Sequence, residues 1–239
     1  MDHIIENKIF KPKYTYGIFP VVKSGEDAIV FDNLDRKREL CKFHFLRQQE
    51  KKENETHYYS LVDFLEEKNQ NKNFIGAFCV TTGKEVEQFS KTFEDKHDDY
   101  NSIIVKALGD RFAEALAEML HHQIRLRWNS PNESINLNMM IKEKYHGIRP
   151  APGYPACPDH TEKRTIWRLL DIEKNLNIDL TESCAINPAC SISGLYFDHP
   201  ESKYFMLGKI GKDQVTDYAS RKNISLEEAE KWLRPNLGY

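Results

Sequence analysis

Residues 97–128 read HDDYNSIIVKALGDRFAEALAEMLHHQIRLRW, and the spacing of their apolar positions sets the architecture. Ile104, Leu108, Phe112, Leu116 and Leu120 recur at helical intervals, with Ala115 and Met119 widening the stripe, the pattern of a helix with one buried side. Helical character extends back to Glu85. One helix from Glu85 to Trp128 would run about 66 Å at 1.5 Å per residue, so a break is predicted near His97-Asp98-Asp99.

The flanking segments have strand periods. Tyr14 to Val22 (YTYGIFPVV), Ala28 to Phe31 and Leu40 to Leu46 are short β-type runs, and Gly25-Glu26-Asp27 turns the first into the second. Arg47 to His57 is polar and reads as a loop, after which Ser60 with Asp63 opens a short helix, LVDFLEE. Asn73 to Val80 (NFIGAFCV) is apolar enough for the middle of a sheet. Beyond the polar tract Asn129 to Asn138, a helix capped by Asp159 and Glu162 is predicted to about Asn175. Ile192 to Phe197 and Lys203 to Ile210 read as strands, and two short helices close the chain, the second opened by Ser225 and Glu228. Strands on both sides of a long helical centre predict one α+β domain over residues 1–239 with a mostly antiparallel sheet.

The chain has 239 residues, enough to bury a core without a metal or disulfide staple. Its 34 Lys+Arg against 37 Asp+Glu leave a net charge of -3, which argues against a nucleic-acid binder working through a broad positive field. No run approaches the roughly 20 apolar residues of a membrane span. Cys41, Cys79, Cys157, Cys184 and Cys190 are scattered and contain no C-x-x-C pair, so reduced thiols in a cytoplasmic setting are expected.

Residues 145–163, YHGIRPAPGYPACPDHTEK, carry the chemistry. The prolines fix their own φ angles and bias the preceding residues toward extended backbone, so the loop is stiff before any ligand arrives. Proline removes N–H donors and leaves carbonyl acceptors, which suits a ligand bearing an ammonium or an adenine amine. Arg149 offers a planar fork to a carboxylate, Gly153 permits close approach, and Tyr154 supplies an aromatic plane. An adenosylated α-amino acid such as S-adenosylmethionine (AdoMet) has each matching group. A stiff connector with a helix-end arginine accounts for the same composition. Cys157 and His160 also read as a thiol–base pair or two metal ligands, without a third or fourth ligand in view.

GIRPAPGYPACPDHTEK (Gly147 to Lys163) resembles the signature of the activation domain of cobalamin-dependent methionine synthase, whose AdoMet motif R-x-x-x-G-Y-P matches Arg149, Gly153, Tyr154 and Pro155. HDDYNSIIVKALGDRFAEALAEMLH, LTES (Leu180 to Ser183), SGLYFDHPESKYF (Ser193 to Phe205) and WLRPNLGY (Trp232 to Tyr239) resemble it in order and spacing. The resemblance implies a C-shaped α+β domain with a twisted antiparallel sheet. It also implies a methyltransferase component, unable to make methionine alone, in which one electron from flavodoxin or a flavoprotein reductase and a methyl group from AdoMet return oxidised cobalamin to methylcobalamin. The cobalamin itself is held by a partner domain or subunit.

By resemblance, Arg149 pairs with the AdoMet carboxylate, the Ala151 to Gly153 backbone lines the ammonium and adenosyl side, and Tyr204 and Phe205 contact AdoMet. Tyr154 and His160 face the cobalamin, while Glu114 and Glu143 are acidic residues near the sulfonium. The family domain begins upstream with an aspartate that contacts AdoMet, and this sequence is expected to start after it. A non-catalytic AdoMet-binding or docking module is the alternative.

Overall fold

The computed structural model describes residues 1–50, 57–66, 72–128, 134 and 136–239. In chain order the elements are α1 (Asp2–Glu6), β1 (Lys13–Ser24), β2 (Asp27–Phe31), β3 (Glu39–His44), a 3-10 turn (Leu61–Phe64), β4 (Phe74–Thr81), α2 (Glu85–Glu94) and α3 (Asp99–Trp128). There follow α4 (Leu137–Ile141), α5 (Glu162–Leu170), α6 (Ile172–Leu176), β5 (Asp179–Leu180), β6 (Ile186–Asn187), β7 (Ser191–Tyr196), α7 (Lys212–Lys222) and α8 (Leu226–Leu233). Five strands form one sheet in the order β3-β2-β1-β4-β7, and β5 pairs with β6. The β1–β2 and β2–β3 pairings are antiparallel, with Ser24 opposite Asp27 across the predicted turn. The predicted α+β class with an antiparallel sheet is what the chain adopts, and β4 lies inside the sheet as its apolar run required.

Contacts divide the chain into two compact units. The first holds residues 1–16, 78–144 and 170–193, and the second holds 17–77, 145–169 and 194–239.

In the first unit, the predicted break falls between α2 and α3, where His97 takes a positive φ of 59° and Asp98 accepts the Asn101 amide at 3.1 Å. The stripe on α3 needs correction. The buried side runs through Ser102, Val105, Gly109, Ala113, Ala117, Leu120 and Ile124, whereas Ile104 and Met119 are 40% and 41% exposed and Ala115 is exposed. Small residues at the contact let neighbouring elements approach closely, and the larger Leu108 and Phe112 flank that contact, packing against Ile4, Phe10, Val86, Val105 and Cys190. The hydroxyls of Ser90 and Ser102 meet at 2.9 Å, and Thr82 Oγ1 donates to the Gly109 carbonyl at 3.1 Å.

Three further expectations differ from what the chain adopts. The polar tract predicted as a loop to Asn138 contains the start of α4, whose Met139 amide is capped by Asn136 Oδ1; residues 129–133 and 135 of that tract lie outside the described residues. The helix predicted to Asn175 is split into α5 and α6 because Asp171 has left-handed backbone, φ 48°. Lys203 to Ile210 is not a strand. Its backbone is satisfied by distant loops instead: Leu207 N donates to Pro155 O, Ile210 N to Asn236 O, and the Gln48 amide donates to Met206 O.

The second unit buries Leu46, Leu207, Ile210, Val215, Tyr218, Ala229 and Leu233 together. Ser60 and Asp63 make the predicted cap, with Ser60 N donating to Asp63 Oδ2 at 3.0 Å, but the segment forms one 3-10 turn over Leu61–Phe64. Ser225 caps α8 through the Glu228 amide at 3.1 Å.

A Cβ built on Gly109 would stand 2.6 Å from Val86 Cγ1 and 3.5 Å from the Cys190 Cβ. Alanine in a helix interior gains about 1 kcal/mol over glycine, but the stiff, buried Val86 has to move, at a cost of about 1–3 kcal/mol. Gly109→Ala is therefore expected to lower the urea midpoint, and Gly109→Ala/Val86→Ala to lose less than the two single effects summed. A midpoint raised by Gly109→Ala alone would contradict this packing.

Candidate functional site

The proline-rich loop sits within the second unit, and both of its ends are anchored. At its start, Ile148 forms an antiparallel bridge with Phe197, Ile148 N donating to Phe197 O at 2.9 Å and Phe197 N returning at 3.0 Å. Leu195 N then donates to Pro150 O at 2.9 Å. Within the loop, Tyr154 N donates to Ala151 O, Gly153 N to Cys157 O at 2.7 Å, and Cys157 N to Tyr154 O at 2.9 Å. Several carbonyls expected to face a ligand thus accept bonds from the chain itself. Each keeps a second lone pair, so the loop is stiffened by pairing as well as by proline.

Gly153 is required at its position. Its φ is 96°, and an added Cβ would lie 2.4–2.9 Å from three atoms of the His160 ring. Lys163 Nζ donates to His160 Nδ1 at 2.8 Å. Burial first, and the Lys163 charge second, hold the His160 pKa below its usual value, so the ring against Gly153 is neutral at physiological pH.

Arg149 is gripped from two sides. Its backbone N–H donates to the Tyr204 hydroxyl at 3.0 Å, and its Nη1 donates to the Tyr145 hydroxyl at 2.7 Å. Arg149 is half-buried beside Tyr145 and Tyr204, Tyr204 is 46% exposed, and Tyr154 is 65% exposed. Tyr154, His160, Met206 and Trp232 line a cleft of about 480 Å³. Phe205 is buried, packed against Tyr59 and Phe64 at ring distances of 6.0 and 6.4 Å. Glu114 and Glu143 are exposed and belong to the first unit. Cys157 is buried, and burial pushes its thiol pKa up, which disfavours the thiolate that a nucleophile or metal ligand requires. Among the described residues, no group of three or more His, Cys, Asp or Glu could hold a metal ion.

The far end of the loop is tied down by a network that the sequence concealed. Instead of a capping box with Glu162, Asp159 Oδ1 accepts from Thr161 N and Thr161 Oγ1 at 2.7 and 2.8 Å, and its Oδ2 accepts from Tyr218 and Lys222 at 2.7 Å each. Lys222 Nζ also contacts Glu162 Oε1. Both carboxylates are buried, at 2% and 1% exposed. Burial works to raise the Asp159 pKa, but the Lys222 charge and the hydrogen bonds from Lys222, Tyr218 and Thr161 outweigh it, and the net shift is downward. For Glu162 burial prevails and the pKa rises. Neighbouring elements add Asp27, 2.9 Å from His44 Nδ1 and also paired with Arg221.

The sequence offered no signal for Lys222 or Tyr218, which lie about sixty residues downstream of Asp159. Tyr145 was equally hidden, since a tyrosine four residues before an arginine marks a contact only on a helix, and 145–149 is not helical.

These features define an α+β domain with a self-paired, proline-stiffened loop led by a positioned arginine. The model of the family described as "Vitamin B12 dependent methionine synthase, activation domain" matches residues 1–223. A crystal structure of the MetH reactivation domain bound to AdoHcy is 48% identical, with a TM-score of 0.96, covering 100% of this chain and 74% of that one. The chain belongs to the family of activation domains of vitamin B12-dependent methionine synthase. That family is part of a methyltransferase. Among the described residues, no helix is long and apolar enough to cross a membrane.

Lys222→Met is expected to destabilise the protein by about 3–5 kcal/mol near neutral pH, because it leaves buried carboxylates uncompensated. The sign follows from Asp159, whose folded pKa is depressed: its contribution is present above the unfolded carboxylate value and is lost as pH falls through the folded one. Without Lys222, burial raises both folded carboxylate pKa values, so the gap between wild type and Lys222→Met in urea unfolding is expected to begin shrinking above the ordinary carboxylate range and to go on shrinking as pH falls. A gap that grows on acidification would contradict the assignment.

Proposed function

We propose that this chain, acting as a single activation domain, binds AdoMet on the Arg149 to Pro155 loop and presents its methyl group to cobalamin carried by a partner domain of methionine synthase. The observation that carries this reading is the 48% identity, over the whole chain, to a reactivation domain bound to AdoHcy, the demethylated form of AdoMet. The residues present suit the ligand. Arg149 arrives with its guanidinium and its backbone both held, ready for a carboxylate at little further ordering cost. Gly153 lets the His160 ring pack against the strip, and the carbonyls of Ala151 to Gly153 supply acceptors for N–H groups.

In this reading Tyr204 contacts the ligand directly, while Phe205, anchored in the aromatic cluster, fixes the segment that carries it. Tyr154 and His160 border the cleft that meets the cobalamin-bearing partner. AdoMet, when bound, supplies a methyl group on a good leaving sulfonium to the partner's cobalamin, which a flavodoxin or flavoprotein reductase supplies with one electron. The domain's task is alignment, worth a large part of the barrier by positioning alone, and it calls for no general acid or base.

The test mixes the chain with a cobalamin-bearing methionine synthase fragment, AdoMet and a one-electron reductant, following the cob(II)alamin spectrum. AdoMet-dependent conversion to methylcobalamin is expected, and Arg149→Ala is expected to need about ten- to hundredfold more AdoMet, the worth of one charge-assisted pair. No conversion alongside intact AdoMet binding would favour the non-catalytic docking module.

A further inference from the structure

We infer that Tyr145 is a positioning residue for ligand recognition: its hydroxyl holds the Arg149 guanidinium in the orientation that meets a carboxylate. The inference rests on the proposed AdoMet reading and deepens it at one atom. Tyr145 Oη accepts from Arg149 Nη1 at 2.7 Å, inside the short range of charge-assisted bonds.

The long arginine side chain carries substantial rotamer entropy, which binding a planar carboxylate in a fixed geometry has to remove. The loop fixes the Arg149 backbone through Tyr204 and the paired flanks, Ile148 to Phe197 and Pro150 to Leu195. None of those contacts reaches the guanidinium. Tyr145 does, and it is half-buried and only four residues away, on the same anchored segment, so that side chain and backbone are fixed by one stretch of chain. A phenol suits this post because it accepts from the guanidinium without bringing a negative charge that would compete with the incoming carboxylate. An aspartate or glutamate there would neutralise the arginine and weaken its call on the ligand.

The chain of residues 1–239 is titrated calorimetrically with AdoMet and with decarboxylated AdoMet, which lacks only the carboxylate. Tyr145→Phe, which keeps the ring, is expected to weaken AdoMet about five- to tenfold and to leave the decarboxylated ligand unchanged. Arg149→Ala is expected to weaken AdoMet at least as much, with Tyr145→Phe adding nothing in that background. If Arg149→Ala weakens AdoMet and Tyr145→Phe does not, the positioning role is wrong and the carboxylate reading stands. Equal losses for both ligands in Tyr145→Phe would make the tyrosine merely structural and overturn the inference. An AdoMet affinity unmoved by Arg149→Ala overturns the carboxylate reading and the role of Tyr145 with it.

Discussion

One buried ammonium holds the second unit in register. Lys222 reaches Asp159 at the junction of the proline loop and α5, and Glu162 in the first turn of that helix. Two buried carboxylates close together would repel each other and resist ionisation. With Lys222 between them and the Tyr218 hydroxyl on Asp159, the cluster becomes a cross-link from α7 to the end of the loop. The network as a whole contributes less to net stability than its contacts suggest, because desolvation offsets much of the attraction. Its weight lies in geometry, since the charges stay paired only while Lys222 on α7 reaches Asp159 and Glu162.

From that anchor the site is assembled by short local links. Asp159 fixes where α5 begins, which places His160 in the turn just before the helix and Lys163 in its first turn. His160 then stands against Gly153 and closes the space a side chain would need. Bonds from Gly153 to Cys157 and from Cys157 to Tyr154 fold the loop on itself, and the flanks pair with residues 195 and 197 and with Leu207. Arg149 inherits a fixed backbone from these links and a fixed head group from Tyr145. In the proposed reading the loop is ready before AdoMet arrives, so that binding energy is kept for alignment instead of ordering.

What the sequence disclosed was local chemistry. The caps at Ser60 and Ser225, the break at His97 and the buried β4 were legible because each depends on residues within a few positions of one another. The α3 stripe was misplaced because period alone cannot distinguish a helix buried through its largest side chains from one buried through Gly109, Ala113 and Ala117, with the large ones on its flanks. Lys203 to Ile210 alternates like a strand, yet its partners are Pro155, Gln48 and Asn236, none of which sits on a neighbouring strand. The motif brought Arg149, Ala151, Gly153 and Tyr154 to one loop, whereas Lys222 and Tyr218 emerged only once distant segments were in contact, and Tyr145 only once the non-helical course of 145–149 was known.

A crystal structure of this chain with AdoMet tests at once whether the loop is prebuilt and whether Arg149 is the carboxylate anchor proposed for it. The loop backbone from 147 to 158 is expected within about 1 Å of the ligand-free one, with the ligand carboxylate on Arg149 and Tyr145 still on Nη1. A loop that refolds around the ligand, or a carboxylate bound away from Arg149, would contradict that expectation.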